Sequence, residues 1–166
     1  MLDLTRGAVL IAATLTTGLM AGLFYAYSIS VMPGLGKSTD RTLVEGMQRI
    51  NVAIVNGWFA IGFGGALVFT ALAAVLHLGG ERSVLLWTVA ALVLYIAVLA
   101  ITVGFNVPLN NELAAAGELD KITDFAAVRE RFEGAWVRWN IVRTVVNTAA
   151  FGCLTWALVL FGRTGG

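Results

Sequence analysis

Val103-Gly-Phe-Asn-Val-Pro-Leu-Asn-Asn-Glu-Leu113 closes an uncharged run that begins at Ser83. Asn106 and Asn110 are spaced i, i+4, so on a helix they share one face, one turn apart. Pro108 lies between them; lacking an N–H, it frees the Gly104 carbonyl and bends or unwinds the chain. Amides beside a broken helix at the edge of an apolar segment mark a binding site when that segment lies in a bilayer.

Composition places it there. Of 166 residues, 58% are hydrophobic and 13% charged, against about 25% charged in an ordinary soluble domain, and the mean hydropathy is +0.84. Four uncharged runs stand out: Gly7 to Gly36, Ile50 to Gly80, Ser83 to Asn111 and Thr144 to Gly162. Each has the ~20 residues a spanning helix needs. The first is far longer than the apolar core of a secretory signal and reads as a retained helix. The expected fold is all-α: a single domain, 1–166, forming an integral membrane four-helix bundle with both termini on one side. Gly18 with Gly22, and Gly62 with Ala66, are small-xxx-small pairs suited to close helix approach.

Polar residues collect at one end of this bundle. The first run ends Tyr25-Ala-Tyr27-Ser28-Ile-Ser30, and the second begins Gln48-Arg-Ile-Asn51 with Asn56 close by. The third ends at Asn106 and Asn110. The fourth is preceded by Trp136-Val-Arg138-Trp139-Asn140-Ile-Val-Arg143. Antiparallel neighbours bring all four clusters level. Trp136, Asn140, Arg143 and Asn147 fall at i, i+4, i+7 and i+11, a single helical face. Arg143 on that stripe points either inward or to the boundary as a snorkelling anchor; Arg138, off the stripe, reads as an anchor. Tyr25, with Ser28, and Trp136 are expected as pocket walls, with Trp139, Trp58 and Tyr27 in the interfacial aromatic belt or beside the pocket.

The connections at this end are long. Ser38 or Thr39 caps an early extension of the second helix. Phe125, Val128, Phe132 and Ala135 recur at helical spacing, an amphipathic start to the fourth helix that could roof the pocket. The opposite end is a short Leu78-Gly-Gly-Glu-Arg82 turn beside His77, read as an interfacial residue. Basic residues favour the polar end (Lys37, Arg41, Arg49, Lys121, Arg129, Arg131, Arg138) over the other (Arg6, Arg82, Arg163), which orients the polar end toward the cytoplasm.

Much chemistry is excluded by residue supply. One histidine and one cysteine, Cys153, give no imidazole or thiolate set for a metal or haem, and no Ser-His or Cys-His nucleophile. There is no phosphate-binding glycine loop. The net charge of +1 argues against nucleic acid. Glu112 is the only acid near the amides, which argues against a proton-coupled carrier. What remains is amides, a phenol and a guanidinium, suited to holding an oxyanion or carbonyl and poorly suited to electron transfer.

Gly22-Leu-Phe-Tyr-Ala-Tyr-Ser-Ile-Ser-Val-Met-Pro-Gly-Leu35, Met47-Gln-Arg-Ile-Asn51, Asn106-Val-Pro-Leu-Asn-Asn-Glu-Leu113 and Trp136-Val-Arg-Trp-Asn-Ile-Val-Arg143 together resemble the anthrone oxygenase-like family of small four-helix membrane proteins, which has bacterial as well as fungal members. The resemblance implies a cofactor-independent monooxygenase that turns an anthrone, or another phenolic polycyclic molecule, into a quinone through an enolate. On that reading Arg143, Asn106, Asn110 and Asn140 stabilise the enolate oxygen. Gln48 and Asn51 orient the ring substituents, Tyr25, Trp136 and Trp139 line the wall, and Glu112 or Tyr25 is the available base. The alternative is a non-enzymatic membrane protein that binds a lipid or quinone or serves as a subunit of a complex, with its amides as interhelical fasteners; either reading is compatible with a homo-oligomer.

Overall fold

The computed structural model describes residues 1–164; the last two glycines of the expected domain lie outside them. Among the described residues there are five helices and no strand. Helix α1 spans Leu2–Gly36, α2 Asp40–Ala53, α3 Gly57–Leu76, α4 Arg82–Ala115 and α5 Phe125–Thr164. Four of them, all but α2, are long and apolar enough to cross a bilayer. The chain is a multi-pass membrane protein built as a four-helix bundle.

Length differences create the two unlike ends. At 1.5 Å per residue α3 is ~30 Å long, about one hydrocarbon thickness, whereas α1, α4 and α5 reach ~50–60 Å. The excess projects at the end where the amides lie. There α2 packs its buried face of Leu43, Val44 and Met47 against Met32, Leu113, Val128, Phe132 and Trp136. The amphipathic start of α5 thus has its apolar partners, and the roof carries a core of its own.

Local chemistry stops each helix. Thr39 caps α2, its Oγ1 accepting the Thr42 N–H. The second uncharged run is not one helix: Asn56 Oδ1 accepts the Phe59 N–H and caps α3, while its Nδ2 donates to Ala53 O at the end of α2. Asn56 is therefore a cap, not an interior amide. α4 ends at Gly117, whose φ of +85° is costly for any residue with a Cβ. Asp124 Oδ1 then accepts the Ala127 N–H at the start of α5.

Both prolines sit just after a widened turn. Tyr27–Val31 and Thr102–Asn106 are single π-helical turns, preceding Pro33 and Pro108. A proline removes one backbone donor, and the extra residue of a π-turn re-registers the ladder without breaking the rod. α1 and α4 each stay continuous where a bend or an unwound segment was expected at Pro108.

Of the small-residue pairs, Gly18 and Gly62 make close approaches. A Cβ at Gly18 would lie 2.8 Å from Phe151 Cε2, and one at Gly62 would lie 2.6 Å from Met20 Cε. Gly22 faces open space and does not share this role. At the tight end Arg6 Nε donates to Leu76 O at 2.8 Å, covering the end of α3. His77, expected at the interface, is buried instead: Nδ1 lies 2.8 Å from Ala73 O and the ring meets Phe161 edge-on.

Candidate functional site

Beneath the roof lies a cavity of about 380 Å³. Its polar lining includes Tyr27, Gln48, Asn51, Thr102, Asn106, Asn110, Asn111 and Arg143, and its rings are Phe24, Phe59, Phe63 and Trp136 beside Tyr27. A shallower cleft of about 240 Å³ on the outside of the roof holds Glu112 and Arg131, which face each other at 3.7 Å.

Arg143 is the centre of the charge distribution. It is 8% exposed, with its guanidinium carbon 4.2 Å from the Phe24 ring centroid and 5.4 Å from that of Trp136. Its Nε donates to Asn140 Oδ1 at 3.0 Å. Among the described residues no carboxylate pairs with it, and none of the cavity-lining residues is acidic. A buried cation with aromatic neighbours but no counter-ion is an incomplete arrangement. An anionic atom in the cavity completes it.

Asn140 holds Arg143 from behind rather than lining the cavity. Its Nδ2 donates to Phe24 O at 3.1 Å and to Ser28 Oγ at 2.8 Å, and Ser28 Oγ also meets Thr144 Oγ1 at 3.1 Å. α1 and α5 are thereby pinned together at the level of the guanidinium.

The remaining amides divide into fastened and free. Asn110 Oδ1 accepts the indole N–H of Trp136 at 2.8 Å, which fixes that wall. Gln48 Nε2 donates to Leu113 O and Gly117 O, tying α2 to the end of α4. Asn106 is 1% exposed; its Nδ2 reaches Trp136 O only at 3.5 Å, and its Oδ1 has no partner. Asn51 Nδ2 is likewise buried and unpaired. A buried donor and a buried acceptor, both left open on the cavity lining, contrast with the usual satisfaction of such groups. Asn147, one turn beyond Arg143, is fully buried with both polar atoms unpaired and lies outside the lining.

Two expected wall residues lie elsewhere. Tyr25 is 54% exposed on the outer face of α1, and Tyr27 takes the place beside Trp136, with ring centroids 5.6 Å apart. Trp139 stacks on Phe105 at 3.6 Å, with planes 10° apart, and does not line the cavity. The inward face of α1 is carried by Phe24 and Ser28 at i, i+4, and Tyr27 follows Leu23 at the same spacing.

A family model described as anthrone oxygenase matches residues 56–153, more than half of the chain. The matched segment takes in Asn106, Asn110, Trp136, Asn140 and Arg143, while Tyr27, Gln48 and Asn51 precede it. No curated protein and no solved structure matches the chain.

Proposed function

The chain belongs to the anthrone oxygenase family, and on that premise we propose that the cavity binds a flat, weakly acidic aromatic ketone as its enolate and presents it to molecular oxygen. The observation that carries this reading is Arg143, a buried guanidinium on an aromatic-walled cavity with no carboxylate partner among the described residues. In surroundings of low dielectric a fixed cation stabilises developing negative charge far more than water-exposed lysines do. The cavity volume lies within the ordinary range for small-molecule sites.

The chemistry needs little else. An anthrone loses one methylene proton to give an enolate, its oxygen held by Arg143 with Asn51 Nδ2 as a second donor. The carbanion carbon opposite gives an electron to oxygen and couples with the superoxide formed, and protonation yields a hydroperoxide. Loss of the second methylene proton breaks the O–O bond and expels hydroxide, which leaves as water. One substrate and one O2 thus become one quinone and one water. No carboxylate or imidazole lines the cavity, so on this reading Arg143 selects the anion, and the first proton leaves to solvent before or during binding. Glu112, turned toward Arg131 outside the cavity, and Tyr25 are poor bases for that step. The basic residues of the roof support a cytoplasmic orientation of the cavity under the charge rule.

The test is oxygen uptake by the protein in lipid nanodiscs supplied with an anthrone. Arg143→Gln is expected to lower kcat about 100- to 1000-fold, the cost of removing one oxyanion donor. Full turnover by Arg143→Gln would overturn the assignment.

A further inference from the structure

We infer that the cavity is loaded sideways from the bilayer, through a portal between the α2–α3 break and the π-turn of α4, and not from the water above it. The inference rests on the cavity's walls and is independent of the chemistry proposed within it.

Three sides of the cavity are walled by packed side chains. Toward water stands the roof core, in which Leu43, Val44 and Met47 are fully buried and Leu113 is 1% exposed. Toward the bundle interior stand Met20, Phe24 and Val98, with Phe59 and Phe63 stacked 5.1 Å apart. At the back Asn140 and Ser28 join α5 to α1.

The remaining side is edged by Val52, Val55, Val103 and Val107, all of which line the cavity. They are 78%, 80%, 66% and 40% exposed. Register explains why the two pairs face each other. Tyr95 Oη donates to Phe63 O at 2.8 Å, which sets α3 against α4. Val55 stands two residues before α3 begins and Val103 in the π-turn of α4, each eight residues from this contact in antiparallel chains, so the two come to similar levels. There the chain that would continue α3 is interrupted by the Asn56 cap, and across the gap Gly104 has nothing near its missing side chain. Val103 and Val107 belong to α4, one of the four helices long and apolar enough to span a bilayer, and carry no polar group at the gap. Of the four valines, these two stand on a spanning helix, level with the start of α3, so the mouth opens sideways at the boundary of the hydrocarbon layer. The opening continues along α4 from the valines to Asn110, Asn111 and Ala114, of which Asn111 and Ala114 are exposed, so its roof-side end is polar and its other end apolar. A molecule dissolved in the bilayer therefore meets an apolar entrance first, and the amides and Arg143 only after it has entered.

Accessibility of a buried cysteine in nanodiscs tests this without any substrate. In a Cys153→Ala background, Thr102→Cys puts a thiol on the cavity wall at a position 8% exposed; Asn51→Cys is a second reporter should the first fail to fold. An uncharged, bilayer-soluble maleimide is expected to modify the thiol at least ten-fold faster than a sulfonate-bearing methanethiosulfonate, each rate normalised to an exposed control cysteine. This holds even though Arg143 would attract the sulfonate. Val55→Trp and Val103→Trp, which fill the mouth, should each slow the maleimide at least ten-fold. Faster modification by the sulfonate reagent, no modification by either, or indifference to both tryptophans would overturn the portal. None of these results depends on whether an anthrone turns over.

Discussion

Asn140 Oδ1 accepts the Nε–H of Arg143 at 3.0 Å while the same amide's Nδ2 is held by Phe24 O and Ser28 Oγ. A neutral acceptor orients the guanidinium without cancelling its charge, and that choice is testable by a near-isosteric change. Asn140→Asp supplies a carboxylate one turn from Arg143 and completes the ion pair internally. Binding of a hydroxyanthraquinone phenolate, followed by its absorbance in nanodiscs, should then weaken by about 100-fold, the effect of removing a buried charge's availability. Asn140→Ala, which loses only orientation, should cost about ten-fold. Equal losses for the two variants would mean that Arg143 acts by shape and not by charge.

The two tyrosines of α1 give a second contrast. Tyr25 is exposed on the lipid-facing side, whereas Tyr27 lines the cavity against Trp136. Tyr27→Ala removes a wall ring and should weaken probe binding about 30-fold, as loss of an aromatic anchor does. Tyr25→Ala should leave the binding constant within about two-fold, since surface changes away from a site have small effects. Isothermal titration of both variants decides between them, and the reverse ranking would restore the wall expected from the sequence.

The four-rod fold and the convergence of amides at one end could be read from the sequence because both follow from hydropathy and antiparallel order. Gln48, Asn51, Asn106, Asn110, Trp136 and Arg143 meet on one cavity, as the levels of the helix ends implied. What was hidden was rotation and fine register. The sides on which Tyr25 and Tyr27 fall were hidden because this part of α1 is apolar all round, so hydropathy does not mark which face turns inward. The α2–α3 break was hidden for a different reason: Asn56 reads equally as an interior amide or as a cap until the preceding chain is seen to turn. Asn140 was recognised by its stripe, but a stripe is wider than a cavity, and being on it does not decide between lining a site and supporting it.

The roof depends on Arg129. Its Nη2 donates to Gly36 O at 2.6 Å and its Nη1 to Ser38 O and Asp40 Oδ1, while Nε meets Glu133 Oε2 at 2.6 Å. One fork therefore covers the end of α1, the start of α2 and the first turns of α5. Its side chain is 18% exposed, so screening by water reduces but does not remove the gain. Arg129→Ala should destabilise the fold by about 2 kcal/mol, lowering a thermal midpoint by roughly 4–8 °C for a chain of this size. Arg129→Lys should recover little of it, because an ammonium cannot reproduce a planar fork with four partners. A midpoint within one degree of the parent for Arg129→Ala would show that the roof is held by its apolar core alone.

Asn106 separates a binding amide from a fastening one. Its Oδ1 is buried with no partner, and its Nδ2 contact with Trp136 O is long at 3.5 Å. An unpaired buried acceptor costs about 1–3 kcal/mol, and exchanging such a group for an apolar one of similar size is neutral or stabilising. Asn106→Leu should therefore leave the thermal midpoint unchanged or raise it. The same variant should weaken a hydroxyl-bearing probe about five- to ten-fold, because the acceptor is completed only when a ligand hydroxyl donates to it. A fastening role makes the opposite demand: cutting an interhelical hydrogen bond lowers stability, while binding falls only through misfolding. Measuring both quantities on one preparation in the same lipid distinguishes the two, since only a ligand-directed amide gives firmer folding together with poorer binding.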